Sequence, residues 1–143
     1  MPASTIVFSS EGIKFSVSLK SEVRNWLIKS ALREGFTLNQ LHFVFCNDDF
    51  LLSLNRKFLD HKTLTDILTF DYTSENSPEN LSGEIYISID RVKENAKRFS
   101  VDFETELHRV MIHGILHLCG YRDKTNPQKK EMRKKEDFYL ALL

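Results

Sequence analysis

Several things are scarce in this sequence, and each absence narrows its function. There are two cysteines, Cys46 and Cys119, in 143 residues. They lie far apart without framework spacing, which excludes a disulfide-built scaffold and fits reduced thiols in a cytosolic protein. No apolar run approaches the roughly 20 residues that span a bilayer. The N-terminus shows no basic stretch followed by an apolar one, so no signal peptide is expected. A cytoplasmic protein without a membrane partner is the expectation. Charge of one sign is also lacking, because 20 basic residues cancel 20 acidic ones. Net charge therefore says nothing about a nucleic-acid partner, and local charge has to be read instead. There is no internal repeat and no low-complexity tract. The one obvious loop, Thr73 to Ser82, is too short to link domains. Residues 1–143 are read as a single domain.

What is present is a normal globular balance. Apolar residues make up 41% and charged residues 28%, which argues against disorder. Ile6–Phe8 and Ile13–Val17 read as a short strand and its continuation. Val23, Trp26, Leu27 and Ala31 recur at helical spacing, and Gly35 is a stop signal. Leu41, Phe43 and Phe45 alternate with His42 and Val44 as in a strand. Asn47 and Asp48 cap a helix carrying Leu51, Leu54 and Phe58. Asp66–Tyr72 and Glu84–Ile89 read as two more strands, with Asp90 capping a short helix after them. Asp102 opens a longer helix that Gly120 ends. A last helix begins near Pro127, with Met132, Phe138, Tyr139 and Leu142 as its apolar stripe. This order predicts an α+β fold, a small mixed β-sheet covered by helices.

The segment that carries chemistry is His113-Gly-Ile-Leu-His117-Leu-Cys-Gly120-Tyr-Arg-Asp123. Histidines four apart on a helix are neighbours, with Cβ atoms about 5–6 Å apart. Both rings can reach one ion at zinc–nitrogen distances of about 2.0–2.1 Å. Gly120 can take the left-handed conformation that ends a helix and turns the chain back. Asp123 then comes round as a third ligand, in the logic of the long metzincin motif. A loop or capping role is the competing reading for Asp123. Three protein ligands leave a position for water, the catalytic rather than the structural arrangement. One zinc ion is the expected cofactor, with His113 and His117 as catalytic residues. Gly114 stands where HExxH proteases place their general base, so peptidase chemistry is disfavoured. Glu104 and Glu106 lie upstream on the same helix and read as capping or surface carboxylates.

The same segment resembles the YbeY family of ribosomal-RNA maturation factors, whose hallmark is H-G-x-L-H-L-x-G-Y-D-H. His113, Gly114, Leu116, His117, Leu118, Gly120 and Tyr121 match it. Arg122 stands where the family has Asp, and Asp123 where it has a third His. Leu54-Asn55 with Thr65–Phe70 is similar to the family's LN…TDVLSF segment, and Gly83–Ser88 to its GDIxIS strand. The resemblance spans roughly residues 40 to 140. Leu59 occupies the place of a family arginine important for RNA cleavage, and Arg56 lies one helical turn earlier.

The resemblance implies a metal-dependent, single-strand-specific endoribonuclease acting on precursor ribosomal RNA, mainly of the small subunit, and in ribosome quality control. It implies the ribosome or small-subunit proteins as further partners. Candidate RNA contacts are Arg56, Lys62, Arg91 and Arg109, with Lys57 beside them. Another is the run Lys129, Lys130, Arg133, Lys134 and Lys135, although a charged helix face usually just meets water. Thr65, Asp66, Thr69 and Ser88 are candidates to line the cleft, and His42, His61 and His108 read as ordinary polar histidines. The alternative function is a non-catalytic RNA- or ribosome-binding assembly factor with a structural zinc.

Overall fold

The structure, a computed structural model, describes residues 4–59 and 65–143; the side chains of Phe58 and Leu59 lie outside the description. His61 and Lys62 lie outside the described residues. The elements run β1 (Thr5–Glu11), α1 (Lys20–Arg33), β2 (Thr37–Cys46), α2 (Asp48–Leu59), β3 (Ile67–Asp71), β4 (Asn80–Ser88), α3 (Ile89–Arg98), α4 (Phe103–Leu118) and α5 (Asn126–Leu140). The strands form one mixed sheet in the order β1-β2-β4-β3. β1, β2 and β4 are mutually parallel neighbours, and β3 closes the edge antiparallel to β4. The expected α+β architecture is what the chain adopts.

The sheet buries both faces, which shapes its central strand. Leu41, Phe43 and Phe45 of β2 join Ile85 and Ile87 of β4 on the face that packs with buried residues of α1 and α4. Cys46 meets Leu51 of α2 and Leu68 of β3 on the other face, with Tyr86 against them. Val44 was expected beside His42 on a polar side; it is instead buried, because the sheet's second face is also covered. His42 stays half-exposed, its ring 2.6 Å from Ser9 Oγ on β1.

Several details differ from the sequence expectation. Ile13–Val17 is no strand: β1 stops at Glu11, and Gly12, at a φ of 77°, turns the chain away. Val17 is nonetheless buried, and Phe15 packs edge-on against Phe45 and Phe103, so its apolar pattern serves packing without a ladder. β4 starts at Asn80, inside the expected loop, because Asn80 and Leu81 register with Thr37 and Leu38. Ile89 begins α3 rather than ending β4. Ser88, not Asp90, caps that helix by accepting from Arg91 N, while Asp90 accepts from Asp48 N at 2.9 Å. In α5 the buried stripe is Met132, Glu136 and Tyr139; Phe138 and Leu142 are exposed. Among the described residues no helix is long and apolar enough to cross a membrane.

Candidate metal centre

Helix α4 sets the two histidines and its end sets the turn. Gly120, at a φ of 106°, gives its N–H to His117 O, and Tyr121 gives its N–H to Leu116 O at 3.1 Å. These two bonds are the Schellman closure, which satisfies helix carbonyls and reverses the chain. Tyr121 then donates its hydroxyl to Glu34 Oε1 at 2.6 Å. Glu34 also accepts from Tyr139 and, at 3.3 Å, from Lys135. Burial acts to raise the Glu34 pKa, but the bonds from Tyr121, Tyr139 and Lys135 prevail and lower it. The turn is thereby fastened to α1 and α5, and α5 is held in turn by the Thr125–Gln128 capping box.

The turn brings Asp123 back to the histidines. Asp123 Oδ2 lies 3.2 Å from His113 Nε2 and 3.5 Å from His117 Nε2. The two rings stand nearly perpendicular, with centroids 4.5 Å apart. One donor atom from each of the three residues falls within 4.8 Å of the others, so the group can hold a metal ion. Among the described residues this is the one such group of His, Cys, Asp or Glu.

The fourth residue of the centre was not anticipated. Glu136 of α5 places Oε2 2.6 Å from His113 Nδ1, and its Oε1 accepts from Arg109 at 3.0 Å. Arg109 also donates to Asp137 at 2.7 Å. An ionised carboxylate only accepts, so Glu136 favours the proton on His113 Nδ1, and Nε2, which faces Asp123, is the atom that would bind an ion. Burial acts to lower the His113 pKa, yet the bond and charge of Glu136, with Asp123 and Asp66, raise it. His117 is bonded by the Tyr121 backbone, with no buried carboxylate behind it among the described residues. Burial and the neighbouring His113 charge lower it, toward the neutral, ligating form. Glu136→Gln should weaken metal binding by about 10–100-fold, the usual cost of losing such a partner. Titration against a chelator of known affinity measures this, and an unchanged affinity would leave Glu136 a purely structural role.

A cavity of about 380 Å³ opens beside the centre, with His113, Asp123, Asp66, Glu106, Arg109 and Glu136 in its wall. Asp66 thus sits where a cleft residue was expected, and burial raises its pKa against the opposing charge of His113. Thr65 and Thr69 are not in that wall, and Thr65 Oγ1 donates to Ile67 O. Ser88 is fully buried as a helix cap and donates to Asp48 Oδ1 at 2.7 Å. Glu106 corrects the surface reading: it is buried. Arg91 is paired with Asp48 at 3.1 Å, and Arg56 is exposed on α2. His108 packs edge-on to Trp26, away from the centre.

A helix-borne His-His pair closed by a carboxylate from the following turn, on a mixed α+β sheet, is an arrangement that can hold a catalytic metal ion. The family model described as Endoribonuclease YbeY matches residues 5–143. The chain is 44% identical over 142 residues to Endoribonuclease YbeY of Cytophaga hutchinsonii, covering 99% of this chain and 98% of that one. It is 45% identical to the Flavobacterium psychrophilum protein of the same name, covering 91% of each. The solution structure of TM1509 from Thermotoga maritima superposes with a TM-score of 0.67 at 31% identity, covering 96% of this chain and 87% of that one. The chain belongs to the YbeY endoribonuclease family.

Proposed function

We propose that the chain is a zinc-dependent, single-strand-specific endoribonuclease that matures ribosomal RNA in the cytoplasm, mainly the small-subunit precursor. His113, His117 and Asp123 hold its one ion in this reading. The observation that carries it is the convergence of these three donors in a member of this family. Two imidazoles and a carboxylate suit zinc. When bound, the ion supplies Lewis-acid polarisation of a phosphodiester oxygen and a lowered pKa for water.

The chain's own groups do the positioning. Glu136 holds the His113 ring by its Nδ1 proton, and Arg109 holds Glu136. The Tyr121–Glu34 bond keeps the Asp123 turn in place. Arg109 and Arg91 already serve carboxylates, so they lend charge to the surface rather than free donors. Arg56, Lys129 and Arg133 are exposed, and with Lys62 they are the cations proposed to follow the RNA backbone. Ribosomal contacts are proposed for the same surface.

The test is cleavage of a precursor ribosomal-RNA fragment, single-stranded and annealed to its complement. Cleavage of the single strand alone, lost on chelation and restored by zinc, is expected. No cleavage under any condition would overturn the enzyme reading in favour of a binding factor. The ligand set has its own check. Asp123→Ala should lose bound metal, and Asp123→His should keep it, because imidazole replaces a carboxylate donor. Equal metal content in wild type and Asp123→Ala, by elemental analysis, would remove Asp123 from the set.

A further inference from the structure

One buried ionisable group is not used by the centre. Glu106 lies on α4 seven residues before His113, so two helical turns put both on one face. It is 5% exposed, yet its carboxyl has no hydrogen bond and no close ion pair among the described residues. The charges of Arg109 and Arg133 act on it only at longer range. Its oxygens are not among the sealed polar atoms that lack a partner, so they open onto the cavity. Glu106 lines the cavity beside His113 and Asp123, where an entering ligand can partner it.

The same cavity carries two other unfilled features. Asn95 of α3 borders it, and its side-chain amide takes no partner among the described residues. Phe99, at the end of α3, is 51% exposed with the Arg133 guanidinium 5.9 Å over its ring. A second metal ion is the wrong occupant: among the described residues only His113, His117 and Asp123 bring three donors close enough together. A phosphate is also wrong, because the Glu106 carboxyl offers an anion no donor in its ionised state. What matches an aromatic face, a carboxyl acceptor and an amide is a flat ring with amino hydrogens. A cavity of about 380 Å³ also falls within the range of small-molecule pockets.

We propose that this cavity is a base pocket for an unpaired nucleotide next to the bond that is cut, with Glu106 accepting from the exocyclic amino group of adenine, cytosine or guanine. Asn95 bonds a neighbouring edge atom and Phe99 stacks on the ring. The proposal rests on the RNA-cleaving reading above and gives it a physical basis for strand choice. In a duplex the amino edge is already paired and the ring already stacked. Uracil presents a carbonyl oxygen where Glu106 needs a donor, and is the base least suited.

The experiment maps cuts in a mixed-sequence single-stranded RNA by the zinc-loaded wild type, Glu106→Ala and Phe99→Ala, and records binding of AMP, CMP, GMP and UMP by NMR. The wild type should cut beside amino-bearing bases about tenfold more than beside uridine. Glu106→Ala should bring that ratio near one while still holding its metal, and Phe99→Ala should weaken nucleotide binding. A ratio unchanged in Glu106→Ala, or no base preference in the wild type, would overturn the proposal. Should no RNA be cut by any form, the nuclease reading fails on its own and the binding arm decides the pocket. AMP perturbing Asn95 and Phe99 signals more than UMP does would support it; no perturbation by any nucleotide would overturn it.

Discussion

Alanine at position 117 is expected to remove metal and RNA cleavage together while leaving the fold in place. His117 sits in the last turn of α4 with its side chain 29% exposed. Its partners are the Asp123 carboxylate, the His113 ring and the Tyr121 backbone, parts of the centre and its turn rather than of the core. Losing a partner that merely orients a ligand costs about 10–100-fold in metal affinity. Losing a ligand itself should therefore exceed about 100-fold, leaving two donors that cannot hold an ion against competing chelators. The pH dependence of stability separates this from misfolding. Burial first, and then the His113 charge, lowers the His117 pKa below its ordinary 6.5. Below that value the unfolded chain binds the extra proton, so this group favours the fold above pH 6.5 and disfavours it as pH falls. Metal-free His117→Ala should thus lose less thermal stability between pH 7 and pH 5 than metal-free wild type. A variant that melts early at both pH values would show that His117 supports the fold instead. One that binds zinc normally would dismantle the centre.

The parts of this centre that were legible in the sequence are those governed by local geometry. Helical spacing makes neighbours of His113 and His117, and a glycine three residues on is needed for the left-handed turn at 120. Nothing non-local enters that inference. Glu136 was invisible because it lies 23 residues from His113 and among lysines and arginines that suggested a solvated face. A signal was present: Met132, Glu136 and Tyr139 lie on one stripe of α5, and the first and last are apolar. A carboxylate on a buried stripe needs a partner, and Arg109 and His113 supply it. Glu106 gave a similar signal, one residue before the fully buried Leu107 and seven before His113, but its carboxyl has no partner among the described residues. Val44 and Ile13–Val17 failed for a different reason. Period-two alternation reports which side chains are buried, and here helices and a folded-back segment did the burying outside a simple one-faced ladder.

Glutamate at position 114 is expected to destroy the fold rather than to create a peptidase. The substitution would write HExxH into α4, the sequence that gives metalloproteases their base. Successive helix residues point about 100° apart, so position 114 does not share the face of His113. It faces the sheet. A Cβ placed there would lie 3.0 Å from Ile85 Cδ1 and Cγ2 and 3.1 Å from Ile67 Cδ1. Ile85 is fully buried, so a carboxylate at 114 would enter an apolar layer without a partner. An uncompensated buried charge costs about 3–5 kcal/mol, and overpacking adds about 1–3 kcal/mol. Together these rival the roughly 5–15 kcal/mol that holds a domain folded. Gly114→Ala is the milder comparison. It gains about 1 kcal/mol of helix propensity and loses about 1–3 kcal/mol in crowding against Ile85 and Ile67, so it should fold with a modestly lowered Tm. Gly114→Glu should be insoluble or lack a cooperative melt. A folded, zinc-loaded Gly114→Glu that turned over peptides would mean that α4 presents a different face to the sheet. A melt equal to that of Gly114→Ala would mean that the layer admits a charge its packing forbids.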